Sequence, residues 1–484
     1  MVPSCVPTDH LCAGPSASVV TLGMILKEQS VSATFYQALC DRLPALQDSQ
    51  GYRRLLGYLA FTNPNSDGEW FLPSAFVAEL AGKRVTGKWS AWKYLHTFQE
   101  ATGIHLQLSD FFTGHCRTIT AIQWPEDLRV MIYAERRTTR VERVLLSSGA
   151  KWASTHSSLT RQQFQKEALE RMVGREGHPV SALLTLPNQA PTQRYAVARR
   201  YLPEAHLLVD SQDLDLVDSE RERQHNILKA IEDAPQPIYA PGTTTVRIFA
   251  LNDSIVRLQR DVREVMTQGW ITADLKSAQL AIVSRVWNLP DVAAFLESGQ
   301  SCWRVLCAWI EVEFTETNKG LLKDSLYALI FGAGRDKMMT LMEEGFGPGA
   351  YQRFKKQPLI GSLLRGRAIQ LRLIRKAGHG IDAYGTLLDL HYIAVKGKPF
   401  SYDSSRKILA LIAQSYELKL LEPVIALAIE QTNLQHGFSL VTWLHDGFCF
   451  VPNKARDKEH WCKTLQEAVR EQALLLGIPT ELEI

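Results

Sequence analysis

The hydrophobic pattern around residue 274 changes its period within one stretch. Trp270 to Ala273 are apolar or β-branched, which is typical of a short buried strand. From Ser277 onward the apolar residues recur at helical spacing. Asp274 is therefore predicted where a strand gives way to a helix. A carboxylate at such a place is either the N-cap of the helix or a metal ligand exposed at the edge of a sheet.

A second acid has a similar place near the C-terminus. Two strand-like runs lie within Phe438–Pro452, and His445, Asp446 and Gly447 stand between them, with Gly447 expected to permit the tight turn of a β-hairpin. Two carboxylates about 4 Å apart repel by roughly 4 kcal/mol at an effective dielectric of about 20. Bound cations would remove that repulsion, and Mg²⁺ prefers one or two carboxylates together with substrate phosphates. We therefore predict two Mg²⁺ ions, which Mn²⁺ can replace, at Asp274 and Asp446.

A third stretch, Lys319–Gly332, is predicted to form one helix. Lys319, Lys323, Tyr327 and Phe331 are spaced by four residues and therefore share one side of it. Two lysines one turn apart repel mildly, which does not help an ordinary amphipathic helix. A triphosphate bound by the lysines, with the rings stacked on a base or sugar, explains the pattern. The alternative is that the aromatic residues belong to the core and the lysines are solvated.

Helix, turn, helix and hairpin are predicted in this order in the first third of the chain. Leu72–Gly82 and Lys88–Phe98 have helical spacing, Gly103 ends the second helix, and strand-like pieces follow around Leu106 and at 117–124. This is the order of a winged helix, a DNA-binding module; a structural module without nucleic acid is the alternative.

Composition and charge narrow the class of protein. The 484 residues are 45% hydrophobic and 22% charged, with a net charge of only +3. Residues 136–200 nevertheless carry twelve Lys/Arg against four acids, and 353–376 carry eight against none, which favours a polyanionic partner.

The eight cysteines form no CxxC pair, so neither a disulfide framework nor a zinc ribbon is indicated. No segment is long and apolar enough for a membrane span, and a cytoplasmic protein is expected.

The three stretches together resemble the three motifs of family A DNA polymerases, over residues 242 to 484. The family's first motif reads Asp-Tyr-Ser-Gln-Ile-Glu-Leu-Arg, and Asp274 matches its Asp. Its second, Arg-x₃-Lys-x₃-Phe/Tyr-x₃-Tyr-Gly, is similar to Lys319–Gly332, and its third, Val-His-Asp-Glu, is similar to Leu444–Gly447. Additional matches of single residues are Arg247, Arg406 and Gln414.

This resemblance implies an α+β right-hand polymerase: an antiparallel palm sheet, helical fingers and thumb, and a small, mostly helical N-terminal module. The expected segments are the N-terminal module over 1–130, a thumb-like basic region over 131–240, the palm over 241–299 and 396–484, and the fingers over 300–395. No proofreading exonuclease is expected, because the residues before about 235 must already supply the thumb and the N-terminal module.

The resemblance also implies roles for individual residues. Asp274 and Asp446 would hold the two metal ions, and Lys323 would act on the leaving pyrophosphate. The nucleotide would be bound by Lys319, Lys323, Tyr327, Phe331, Gln279 and the carbonyl of Leu275. The DNA would be bound by Arg247, Arg406, Gln414 and His445. The implied activity is synthesis of DNA from dNTPs on a primed template by a monomer, in phage or plasmid replication, with a replication accessory protein as a further partner.

Some positions depart from the family. Gln279 stands where the family has the Glu that blocks a ribose 2′-hydroxyl, Trp303 replaces a phosphate-binding His, and Gly447 replaces a supporting Glu. We therefore expect weak exclusion of ribonucleotides and, from Tyr327, ready acceptance of dideoxynucleotides.

Two other functions remain open. Phage-type single-subunit RNA polymerases share this palm and also lack a carboxylate at the position of Gln279, so RNA synthesis or priming is the second reading. Against it, those enzymes carry a hydroxyl-bearing Tyr at the position of Phe331. A non-catalytic replication-initiation protein on a decayed palm is the third.

Overall fold

The computed structural model describes most of the chain, and the first residues of the expected N-terminal module, 1–27, lie outside the described part. The described residues are 28–65, 68–82, 91–109, 116–139, 141–152, 154–172, 179–189, 192–214, 216–242, 245–390 and 402–484.

Helices form most of the described secondary structure. They are α1 (Ala33–Arg42), α2 (Gln50–Phe61), α3 (Ser74–Leu80), α4 (Ala91–Thr102), α5 (Glu126–Arg137), α6 (Ser154–Glu170), α7 (Pro179–Gln189), α8 (Thr192–Ala196), α9 (Leu202–Asp210), α10 (Asp218–Asp233), α11 (Arg260–Met266), α12 (Ala278–Val286), α13 (Pro290–Glu297), α14 (Cys302–Ile310), α15 (Glu316–Ile330), α16 (Arg335–Phe346), α17 (Ala350–Lys356), α18 (Pro358–Ala377), α19 (Tyr402–Gln431) and α20 (Lys458–Leu476).

The strands are short, and every described pair is antiparallel, so the chain is α+β as expected. They are β1 (Ser30–Ser32), β2 (Trp70–Pro73), β3 (His105–Leu108), β4 (Cys116–Gln123), β5 (Arg143–Leu145), β6 (Tyr239–Pro241), β7 (Ile248–Ala250), β8 (Ile271–Leu275), β9 (His379–Ile381), β10 (Leu387–Asp389), β11 (Phe438–Trp443), β12 (Gly447–Pro452) and β13 (Leu482–Glu483).

The chain divides into two compact units that are not contiguous in sequence. Unit 1 comprises residues 1–167, 195–238 and 251–268, and unit 2 comprises 168–194, 239–250 and 269–484. The chain enters unit 2 at residues 168, 239 and 269 and returns to unit 1 at residues 195 and 251, so the expected segment 131–240 is divided between the two units. Residues 239–250 belong to unit 2 because β6 and β7 are anchored there: the buried Tyr239 hydroxyl accepts from the backbone N–H of Trp443 at 2.8 Å.

Unit 1 contains the two helices and the strand pair predicted for its first half, together with a strand that was not predicted, β2, which takes the start of the segment 72–82 expected to be helical. After α2 come β2, α3, α4, β3 and β4, and the sheet order is β2–β4–β3. The apolar residues of α4 at helical spacing, Leu95 and Phe98, are fully buried with Leu72 of β2 and Ile119 of β4. The loop between α3 and α4, at 83–90, lies outside the described residues.

A buried ion pair also holds unit 1 together. Lys229 of α10 donates from Nζ to Glu135 Oε1 of α5 at 2.6 Å, and both side chains are almost fully buried. The same carboxylate accepts from the backbone N–H and the hydroxyl of Ser32, which caps α1. Breaking such a pair leaves a buried charge without its partner, which is far more costly than losing a surface pair.

Unit 2 is built on a four-stranded sheet of order β11–β12–β8–β13. Along β8, Ile271, Ala273 and Leu275 are buried while Thr272 and Asp274 point to the exposed face, as the alternation of a half-buried strand requires. A separate apolar cluster is formed by α12 to α19, with Leu322, Leu326 and Leu329 of α15 at its centre. That burial fixes which side of α15 turns inward.

No described helix has both the length and the apolar character that crossing a bilayer requires.

Replacing Lys229 by Met tests the buried pair. The free energy of unfolding, measured with urea, should fall by about 3–5 kcal/mol because Glu135 keeps its charge without a cation. Lys151→Met is the matched control, since Lys151 pairs with Glu142 at the surface; its effect should stay within about 1 kcal/mol. Equal effects of the two substitutions would contradict this account.

Candidate active site

Of the two acids singled out in the sequence, Asp274 lies in β8 and Asp446 lies in the turn that leads directly into the neighbouring strand β12. In the antiparallel pair β12–β8, Gly447 stands opposite Asp274. The backbone N–H of Leu275 donates to the carbonyl oxygen of Asp446 at 2.9 Å, which extends the pairing into the turn. Residues about 170 positions apart in the chain are thus brought side by side.

Gly447 is required by this close approach and not, as predicted, by the turn. A Cβ at that position would lie 2.5 Å from the carbonyl oxygen of Ala273 and 2.8 Å from Asp274 Oδ1. The left-handed residue of the turn is His445, with φ of 73°. The prediction that glycine supplies the turn conformation was therefore wrong, because a non-glycine residue takes that strain.

Asp274 is not a helix cap. It lies within β8, and the residue that precedes α12 as its N-cap is Ser277, whose side chain makes no capping hydrogen bond. The alternative that explained this carboxylate as an N-cap is thus excluded. The side chain is left on the exposed face of the sheet.

The electrostatics of Asp274 reflect crowding by protein and by a second negative charge. Partial burial and, after it, the charge of Asp446 raise the pKa of Asp274 to about 7. Lys323 acts in the opposite direction and favours the ionised carboxylate. Although the side chain is exposed to solvent, the protein around it removes enough water to disfavour the charge.

Helix α15 presents its polar side toward these acids. The Lys323 Nζ lies 5.6 Å from the centroid of the Tyr327 ring, and the Tyr327 and Phe331 rings are 6.4 Å apart. Burial, together with Asp446 and Asp274, raises the pKa of the Tyr327 hydroxyl. Tyr327 and Phe331 also pack, partly buried, against the apolar cluster of α12–α19. The alternative that these rings belong to the core is therefore correct for one part of each ring, and the other part stays available to a nucleotide.

The ends of α15 are defined by local chemistry. Thr315 caps its start by accepting from the N–H of Asn318 at 3.1 Å, and Lys319 pairs with Glu316 at 3.0 Å. The helix ends at Ile330 with Phe331 as its C-cap. At the next residue, Gly332, φ is 88° and a Cβ would lie 2.8 Å from Cγ of Arg406. Glycine there lets the Arg406 side chain of α19 lie against the end of the helix.

A buried carboxylate, Glu417 of α19, holds two of the predicted residues. Its Oε2 accepts from Arg247 Nε at 3.1 Å and from Nη2 at 2.5 Å, while its Oε1 accepts from Gln279 Nε2. Glu417 is only 1% exposed. Burial raises its pKa to about 7, and Arg247 opposes that rise while Asp446 adds to it.

A second contact holds Gln414, one turn before Glu417. The hydroxyl of Thr245 donates to Gln414 Oε1 at 2.7 Å and accepts from the backbone N–H of Arg247 at 3.1 Å. Residues 245–247, which directly precede β7, are thereby joined to α19 through side chains at two successive turns of that helix.

His445 is predominantly neutral. Burial and then the charge of Arg247 lower its pKa to about 4. Its ring meets Phe249 edge-on at 5.2 Å, and its Nδ1 is buried without a hydrogen-bond partner among the described residues.

The two acids alone do not fill the coordination sphere of a hard cation, so water or a bound phosphate would have to supply the remaining ligands. Within the described part of the chain, no three His, Cys, Asp or Glu side chains converge as metal ligands. Glu483 stands opposite Asp274 on β13, but its carboxylate lies 3.7 Å from Lys276 Nζ. Two carboxylates with remaining positions open to water or phosphate match the preference of Mg²⁺.

Sequence reasoning missed Glu417, Thr245 and Glu483. Glu417 could have been found, because it is an acid one turn after Gln414 on α19, in a part of the helix whose residues are mostly apolar. Thr245 could have been found from its place two residues before Arg247, which matches the Thr of the Thr-Gly-Arg segment in the family. Glu483 carries no such signal, because its partners are distant in sequence.

Replacing Asp274 by Asn tests the electrostatics of the pair. The pKa of Asp274 is raised to about 7 in the folded chain, so ionising this carboxyl lowers the free energy of unfolding. This loss is absent in acid and complete above pH 7. In a chelating buffer at about pH 8, the Asn variant should melt at a higher temperature than the wild type. This gain should shrink as the pH falls below about 7 and vanish at about pH 3 or lower, below the ordinary Asp pKa of about 3.9, where Asp274 is protonated in the folded and the unfolded chain alike. Asp324→Asn, an exposed acid of α15, should leave the midpoint unchanged. An Asp274→Asn variant that melts lower at both pH values would contradict the repulsion.

Comparisons with known proteins add little to this site. The chain matches no protein-family model and no curated protein. It is similar to a solved structure, the POL domain of Pol1 from M. smegmatis in complex with DNA primer-template and dNTP, at 12% identity and a TM-score of 0.40, over 96% of this chain and 67% of that one. A TM-score this low does not establish a common fold.

Proposed function

We propose that this chain is a template-directed DNA polymerase, which transfers a nucleotidyl group from a dNTP to the 3′-hydroxyl of a primer. The observation that carries the proposal is the pairing of Gly447 with Asp274, which brings Asp446, the residue before β12, close to Asp274 of β8. The charges of both Asp446 and Lys323 act on Asp274. Phosphoryl transfer depends mainly on positioning and on charge stabilisation, and this arrangement supplies both.

The metal would be held by Asp274 and Asp446, with the carbonyl of Leu275 as a further ligand. When bound, two Mg²⁺ ions would lower the pKa of the primer 3′-hydroxyl and neutralise the triphosphate. The raised pKa of Asp274 fits this role, because a cation between the carboxylates would offset their repulsion.

The lysines of α15 would bind the triphosphate. Lys323 would stabilise the leaving pyrophosphate and could donate its proton to it. Lys319 would bind the γ-phosphate as a point charge. Its present pair with Glu316 is exposed and worth at most about 1 kcal/mol, so a phosphate would displace it readily.

The primed template would lie against the neighbouring residues. Arg247 and Gln414 would donate to acceptors in the minor groove, which are alike in every base pair and therefore report pair shape and not sequence. Arg406 would contact the DNA near the end of α15, and His445 would contact the primer terminus. Tyr327 and Phe331 would stack on the base or sugar of the nucleotide.

The direct test is extension of a primed template with dNTPs or rNTPs, with and without the primer. Asp274→Ala and Asp446→Ala should abolish extension, and Lys323→Ala should lower kcat by about 10²–10⁴. Lys337→Ala, an exposed lysine of α16, is the matched control and should match the wild type. RNA made without a primer would favour the RNA polymerase or primase reading, and no product of either kind would favour a non-catalytic role in initiation.

Choice of sugar gives a second test. Gln279 is neutral, so kcat/KM for dNTPs should exceed that for rNTPs by roughly 100-fold or less, the limit for a site that meets an added hydroxyl without rejecting it by charge. Dideoxynucleotides should be accepted readily because of Tyr327. Gln279→Glu should raise the ratio against rNTPs. Strong discrimination by the wild type against both analogues would contradict these expectations.

A further inference from the structure

Two side chains near the acids are each held by hydrogen bonds that leave N–H donors of the same side chain unpaired among the described residues. Glu417 accepts from Nε and Nη2 of Arg247, and among the described residues Nη1 has no partner. The Thr245 hydroxyl donates to Gln414 Oε1, and Gln414 Nε2 likewise has no partner among the described residues. Both side chains are partly exposed, so these N–H groups are open to a ligand.

The orientation of each side chain follows from hydrogen-bond chemistry. The N–H groups of Arg247 and the amide nitrogen of Gln279 can only donate, so the two oxygen atoms of Glu417 must accept from them. The Thr245 hydroxyl already accepts from the Arg247 backbone N–H, and its single proton is directed to Gln414 Oε1. Neither Arg247 nor Gln414 can turn without breaking a bond that a buried or half-buried partner needs.

We propose that Glu417 and Thr245 are positioning residues that fix Arg247 and Gln414 as a pair of donors for the acceptor-only minor-groove edge of the primer–template duplex. This inference rests on the proposed function. It adds Glu417, which neither the motifs nor the resemblance indicated, and it gives a role to Thr245, which stands two residues before Arg247 as the Thr does in the Thr-Gly-Arg segment of the family. Glu417 is 1% exposed and so has few alternative partners, which makes its hold on the Arg247 side chain rigid.

The chemistry of the duplex matches this pair. In the minor groove every base pair offers purine N3 and pyrimidine O2 as acceptors. A donor pair held in place would therefore bind any correctly shaped pair and lose contact with a misshapen one. If Glu417 were absent, Arg247 would keep its charge but not its direction, so the enzyme would still attract DNA while sensing the groove poorly.

The test compares two primers on each protein variant. One primer ends in guanine, and the other ends in 3-deazaguanine, which has C–H in place of N3. Single-turnover extension of the two primers gives a ratio for each variant. The wild type should lose about ten-fold or more on the modified primer, the cost of a hydrogen bond from a charged donor. Glu417→Gln and Arg247→Ala should each reduce that penalty to about three-fold or less.

Two further variants keep the test decisive. Thr245→Val removes only the hydroxyl and should also reduce the penalty. Glu422→Gln, farther along α19 where the acid pairs with Lys419, should keep the full penalty. Because the readout is a ratio within one protein, a general loss of stability does not move it, and melting temperatures of all variants confirm folding.

The outcomes are distinct. A full penalty in Glu417→Gln and Thr245→Val, with an active wild type, overturns this inference and leaves the polymerase standing. A wild type that extends neither primer overturns the proposed function and this inference together. A reduced penalty in both variants but not in Glu422→Gln supports the positioning role.

Discussion

The register between β12 and β8 is the constraint on which the candidate site depends. It places Gly447 against Asp274 and so brings the backbone of Asp446 to Leu275. A slip of one residue would turn Asp274 to the buried face of the sheet and separate the two acids. The absence of a Cβ at Gly447 is what allows the strands to approach this closely, with the adjacent strain taken by His445.

A concentration of negative charge follows from that register. Asp274 and Glu417 both have pKa values raised to about 7, and both are influenced by Asp446. Two cations offset part of this negative charge: Lys323 of α15, and Arg247, which directly precedes β7. Groups held at such a cost in stability are typical of functional sites, where a ligand supplies the missing compensation. A divalent cation with a phosphate would do so here.

Local patterns were sufficient for the elements but not for their assembly. The strand and helix around Asp274, the hairpin at Asp446 and the helix at Lys319–Gly332 were predicted from periodicity and turn residues, and all are present. The true role of Gly447, the contacts of Glu417 and the return of residues 251–268 to unit 1 were not predictable in this way. Each depends on a partner far away in sequence, which no local window contains.

The central claim is that Asp274 and Asp446 together form one cation site. Crystals soaked in Mn²⁺ and measured at its absorption edge would test it most directly, since anomalous scattering locates the ion regardless of activity. The account predicts an anomalous peak between the two carboxylates, lost in Asp446→Asn. Ordered Mn²⁺ bound only elsewhere on the protein, or carboxylates that point to different surfaces, would contradict it.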